Sequence, residues 1–75
     1  MEHDSELDAL GLLCPLPVLK TRKALQRLET GQVIRVLTDD PAALIDMPHF
    51  CAEAGHELLA QKEADAAVIW YLRKG

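Results

Sequence analysis

The sequence predicts an α+β fold, a two-layer α/β sandwich in the order β-α-β-α-β-β, with two helices packed on one face of a four-stranded mixed sheet. Three observations predict it. A strand-like run, a helical run opened by prolines and a second strand-like run follow one another within about thirty residues, as in a parallel βαβ unit with a right-handed crossover. Asp39-Asp40-Pro41 then opens a second helical segment. Two further strand-like runs, His56 to Glu63 and Ala67 to Lys74, close the chain.

Met1 to Glu6 is polar and acidic and reads as a flexible tail, which leaves residues 7–75 as the single folded domain. Leu7-Asp8-Ala9-Leu10 alternates as a short strand does, and Gly11 ends it. Pro15 and Pro17 fit the first turn of a helix, where a missing N–H costs nothing, so a helix is expected from Pro15 to Leu28. Val18, Thr21, Leu25 and Leu28 share one of its faces, and Thr30-Gly31 stops it. Gln32 to Thr38 holds Val33, Ile34, Val36 and Leu37, a composition suited to a strand.

Asp40 is placed to cap the second helical segment, with Pro41 following. Pro48 predicts an interruption: a short turn over Ala42 to Asp46, then a restart near Met47, capped by Asp46 and ending at Gly55. The last two strands meet in a turn near Ala64-Asp65-Ala66, whose type is open because it contains no glycine. Trp70 and Tyr71 fall on opposite faces of the last strand. Trp70 is expected inward with Val68 and Leu72, and Tyr71 more exposed.

The chain has 75 residues, which leaves no room for a second domain and implies a radius of gyration of roughly 11 Å. A large enclosed pocket is excluded, so chemistry is expected at the surface. An apolar fraction of 49% argues against disorder of the whole chain, and three aromatic residues, Phe50, Trp70 and Tyr71, imply an aliphatic core. The net charge of −4 argues against direct nucleic-acid binding. No apolar run approaches the ~18–20 residues of a membrane span, and the acidic N-terminus is no signal peptide, so a cytoplasmic address is expected.

Two cysteines, Cys14 and Cys51, are too few for a disulfide scaffold and lack metal-site spacing, so no metal site is expected. Cys14 stands directly before a proline at the start of a helix. That position reads as the N-cap, where free N–H groups and the helix dipole favour a thiolate. Leu16 then supplies the first N–H of the turn and Val18 the next, because Pro15 and Pro17 have none. No C-x-x-C partner and no nearby histidine accompany the sulfur. A hydrolase is poorly supported, whereas a thiolate that accepts a group and passes it on needs neither base nor pocket. A buried cysteine acting as a small hydrophobe is the competing reading, and the spacing alone leaves both open.

Cys14-Pro15-Leu16-Pro17 matches a C-P-x-P signature, and other segments join it in order: Leu7-Asp8-Ala9-Leu10-Gly11-Leu12, Asp39-Asp40-Pro41-Ala42, Asp46, Pro48, Phe50-Cys51, Gly55-His56-Glu57-Leu58 and Leu72-Arg73-Lys74-Gly75. In these the chain resembles the TusA/SirA family of sulfur-carrier proteins, and its TusA branch most closely. The resemblance runs from about Leu7 to Gly75 and implies the same sandwich. It implies that Cys14 accepts sulfane sulfur as a persulfide from a cysteine desulfurase and relays it to a downstream acceptor protein, with Pro15, Leu16 and Pro17 supporting the helix start. The relay it implies ends in 2-thiouridine at the tRNA wobble position; relatives also serve sulfur oxidation and molybdenum-cofactor synthesis. Such a chain is a sulfurtransferase-type carrier more than a turnover enzyme. It needs no cofactor of its own, since pyridoxal phosphate belongs to the desulfurase, and it works as a monomer with transient partners. Leu13 and Leu16 depart from the basic and the acidic or polar residues often found at these places, which makes the site more apolar.

Lys20, Lys23 and Arg27 follow i, i+3, i+7 on the first helix. They form either a solvated face or a docking stripe for an acidic partner. Cys51 is expected to be structural, His49 and His56 to be surface or capping residues, and Asp40 to be a helix cap more than a catalytic acid. A non-catalytic regulatory or binding module is the alternative function, and a nucleic-acid-binding domain the second alternative.

Overall fold

The computed structural model describes residues 1–75. Strand β1 (Ser5–Ala9), helix α1 (Leu16–Gln26), strand β2 (Val33–Thr38), helix α2 (Ala43–Ala54), strand β3 (Glu57–Ala64) and strand β4 (Ala67–Arg73) follow in that order. The sheet order is β1-β2-β4-β3, with β1 parallel to β2 and the other pairs antiparallel. This is the expected two-layer sandwich, with a radius of gyration of 10.9 Å.

Alternation along β2 decides where the core lies. Ile34, Val36 and Thr38 are buried beneath the helices, while Val33, Arg35 and Leu37 turn to the other face and are half-buried. The register carries the same division to Ala9 on β1 and to Trp70 and Leu72 on β4. α1 adds Leu25 and Thr21, whose hydroxyl donates to the Pro17 carbonyl at 2.8 Å, so the buried polar side chain is satisfied. α2 adds Ala43, Met47, Phe50 and Cys51. The Trp70 indole N–H donates to Thr38 Oγ1 at 2.8 Å inside this core.

Several boundaries differ from the sequence reading. β1 starts at Ser5, because Asp4 exchanges two hydrogen bonds with Val33 across the edge of β2. Ser5 and Glu6, expected in the tail, therefore belong to the sheet. α2 winds through Pro48 without a restart, so Asp46 lies in its first turn and caps nothing. The i→i−3 bonds of Ala43, Leu44 and Ile45 start the helix before the proline is reached, and Pro48 forfeits only its own N–H. Gly55 ends α2 at φ 78°, as expected of a left-handed cap. The β3–β4 turn is closed by Asp65 at φ 55°, a conformation that aspartate tolerates better than most residues. Tyr71 lies on the face opposite Trp70 but is only 7% exposed. Arg35 Nε donates to its hydroxyl at 3.2 Å, and the His3 ring meets its ring edge-on.

Candidate functional site

The β1–α1 connection is held by two acids that follow β2. Asp39 Oδ1 accepts the Gly11 N–H at 2.9 Å, and Asp40 Oδ2 accepts the Cys14 N–H at 2.6 Å. Asp40 Oδ1 also accepts the Ala42 N–H at 3.2 Å, so one carboxylate starts the α2 turn and fixes the cysteine. Asp40, expected to cap the second helix, is not its N-cap: Ala42 holds that position without a side-chain cap bond, and Asp40 instead closes the turn before the helix while holding Cys14 across 26 residues of sequence, a link that local reading does not show.

Cys14 is exposed. It is not the N-cap: α1 begins at Leu16, and Pro15 occupies the cap position. The Leu16 N–H donates to the Leu13 carbonyl at 2.8 Å, and the Leu19 N–H to the Pro15 carbonyl. Of the first-turn donors only the Val18 N–H has no backbone partner. The sulfur turns instead to α2, where its S–H donates to Asp46 Oδ2 at 3.1 Å. This overturns the expected thiolate stabilisation. The hydrogen bond to Asp46, the partial loss of solvent and the negative charges of Asp46 and Asp40 push the Cys14 thiol above its ordinary range.

Cys14 sits at a groove of about 460 Å³ between the two helices. Pro15, Val18, Phe50 and Ala54 supply its apolar lining, and Arg22, Asp46, His49 and Glu53 its polar one. His49 Nε2 lies 2.8 Å from Glu53 Oε1, so these two are already paired. Exposed apolar side chains adjoin the site in sequence: Leu13 and Leu16 beside Cys14, and Ile45, 76% exposed, beside Asp46. No three metal-ligating side chains converge anywhere in the chain.

Sequence reasoning missed Arg22, Phe50 and Glu53 as groove residues and assigned Asp46 only a capping role. Asp46, His49 and Glu53 recur at i, i+3, i+7, which puts them on one helical face. That spacing was the available signal, but nothing local says which face α1 covers. Pro15, Leu16 and Pro17 surround the helix start; Pro17 is buried and Leu16 is exposed. Lys20, Lys23 and Arg27 are exposed and outside the groove, and none forms an ion pair. Cys51 is buried in the core, and burial pushes its thiol up to about 11.

The sulfur carrier protein TusA of Pseudomonas entomophila (strain L48) is 43% identical over 72 residues, covering 96% of this chain and 90% of that protein. The crystal structure of a SirA-like protein from Desulfitobacterium hafniense superposes with a TM-score of 0.84 at 30% identity, covering 96% of this chain and 99% of that one. The profile of the family described as Sulfurtransferase TusA matches residues 5–74, and the chain belongs to that family.

Proposed function

We propose that this protein is a sulfur carrier that takes sulfane sulfur onto Cys14 from a cysteine desulfurase and relays it to a downstream acceptor protein. The observation that carries the proposal is the single exposed thiol, Cys14, fixed at a groove between two helices. The relative named as a sulfur carrier supports the same reading. In the loading step the Cys14 thiolate attacks the outer sulfur of the donor persulfide. A new Sγ–S bond forms and the donor S–S bond breaks. The electron pair of that bond stays on the donor sulfur, which leaves as a thiolate and takes up a proton. One thiol and one persulfide yield one persulfide and one thiol, with no net oxidation. The resemblance to the family extends the relay to wobble 2-thiouridine in tRNA, with the carrier acting in the cytoplasm.

The test is intact-mass analysis after incubation with a desulfurase and cysteine. One added sulfur, removed by reductant, is expected on the parent chain and on Cys51→Ser, and none on Cys14→Ser. Loading lost in folded Cys51→Ser alone would move the site to the wrong sulfur. The pathway is tested by nucleoside analysis of tRNA from cells lacking the protein, where 2-thiouridine should fall.

A further inference from the structure

We propose that Asp46 is the positioning residue for Cys14: its carboxylate keeps the resting side chain a seated thiol and selects donors that present a cation beside the sulfur being attacked. The proposal rests on Cys14 being the carrier site and adds what the donor must look like. Cys14 is gripped twice, through its N–H by Asp40 at 2.6 Å and through its S–H by Asp46 at 3.1 Å. Both acids belong to the segment that leads into and opens α2, so the two grips hold the β1–α1 connection against one end of that helix.

The charges around the sulfur come from three elements. The connection into α2 supplies Asp40; α2 supplies Asp46, His49 and Glu53; α1 supplies Arg22. Glu53 is paired with His49, while Asp40, Asp46 and Arg22 enter no ion pair. Two free carboxylates therefore touch Cys14, and the one cation of the groove neutralises neither. A thiolate formed there stands against negative charge, consistent with the raised position of its titration.

A donor cation that pairs with Asp46 removes both the hydrogen-bond acceptor and the opposing charge. The thiol then loses its proton to solvent, and the thiolate attacks. An anionic donor meets the same carboxylates as repulsion. Asp46 thus serves as a filter on the charge of what approaches.

Small disulfides test this without a protein partner. Cystamine carries cations, 2-hydroxyethyl disulfide is neutral, and dithiodiglycolate carries anions. With each, the Cys14 thiolate forms a mixed disulfide, and the departing sulfur leaves as a thiolate that is protonated by water. Rates at Cys14 are read by site-resolved mass spectrometry across a pH series, on the parent and on Asp46→Asn. In Asp46→Asn the profile with the neutral reagent should move to lower pH. The preference for the cationic over the anionic reagent should fall about 25-fold, because the cation loses an attraction and the anion a repulsion, each worth about fivefold for one charge at contact distance in water. Asp46→Glu, which keeps the charge, should retain the preference.

Superimposed pH profiles with an unchanged preference in Asp46→Asn would overturn the proposal. So would equal loss of preference in Asp46→Glu and Asp46→Asn, which would assign the effect to shape. If Asp46→Asn does not fold, the parent decides alone: its preference must shrink as salt is raised, and a parent preference that salt leaves unchanged refutes the filter. None of these rates depends on sulfur loading, so a failed desulfurase assay would sink the carrier reading separately.

Discussion

Cys14 and Cys51 are the same side chain in opposite surroundings. Cys14 is exposed beside two carboxylates, and Cys51 is 3% exposed in an apolar core. Both thiols are shifted up, for different reasons: a hydrogen bond to Asp46 first in one, desolvation in the other. Exposure therefore separates them. A neutral alkylating reagent should label Cys14 in the native state and Cys51 only after urea unfolding, as peptide mass spectrometry would show. Equal native labelling would contradict the buried placement of Cys51. Asp40→Ala removes the acceptor of two N–H groups and should cost about 1–3 kcal/mol in urea unfolding. The place of Cys14 just before a helix was legible from Cys14-Pro15-Leu16-Pro17, and that of Asp40 at the entry to α2 from its position before Pro41. The electrostatics of Cys14 were not, because Asp46 reaches the sulfur across 32 residues and only packing of α1 on α2 brings them together.

At the scale of elements, the sequence placed all four strands and both helices, since each has its own periodicity and its own punctuation. It misjudged Pro48, because a proline rule treats the helix in isolation. In the sandwich Met47, Phe50 and Cys51 are buried on either side of Pro48 and hold the helix through it. Gly55 tests the end of that element. A Cβ there would meet nothing within 4 Å, so Gly55→Ala introduces backbone strain and no clash. The expected loss is about 1–2 kcal/mol by chemical denaturation. Asp65→Val should cost a similar amount at the β3–β4 turn, where a branched side chain fits positive φ poorly.

At the scale of the whole molecule, stability responds to pH through the end of the chain. His56 Nδ1 accepts the Gly75 N–H at 3.1 Å, and burial, then the Lys74 charge, lower its titration below the ordinary imidazole range. The unfolded chain then binds the proton more readily than the folded one, so acidification through about pH 6.5 should reduce stability. His56→Asn should shrink the difference between urea midpoints at pH 7.5 and pH 5.5. The stripe of Lys20, Lys23 and Arg27 is exposed and without ion pairs. If it docks partners, reversal to Glu at all three positions should slow desulfurase-to-Cys14 transfer at low salt and leave alkylation of Cys14 unchanged. Transfer at the parent rate would leave the stripe a solvated face.

The groove between α1 and α2 opens on the helical side of the sandwich, and Cys14 is the only exposed thiol. A protein partner of ordinary footprint covers about 800 Å² of a surface that totals 4545 Å². If Cys14 carries the sulfur, a donor and an acceptor must both reach it from the same side, so they compete for one berth. Delivery then runs as alternating visits with no three-body complex. Surplus acceptor should inhibit uptake of sulfur, in the manner of a ferry whose two piers cannot be used at once.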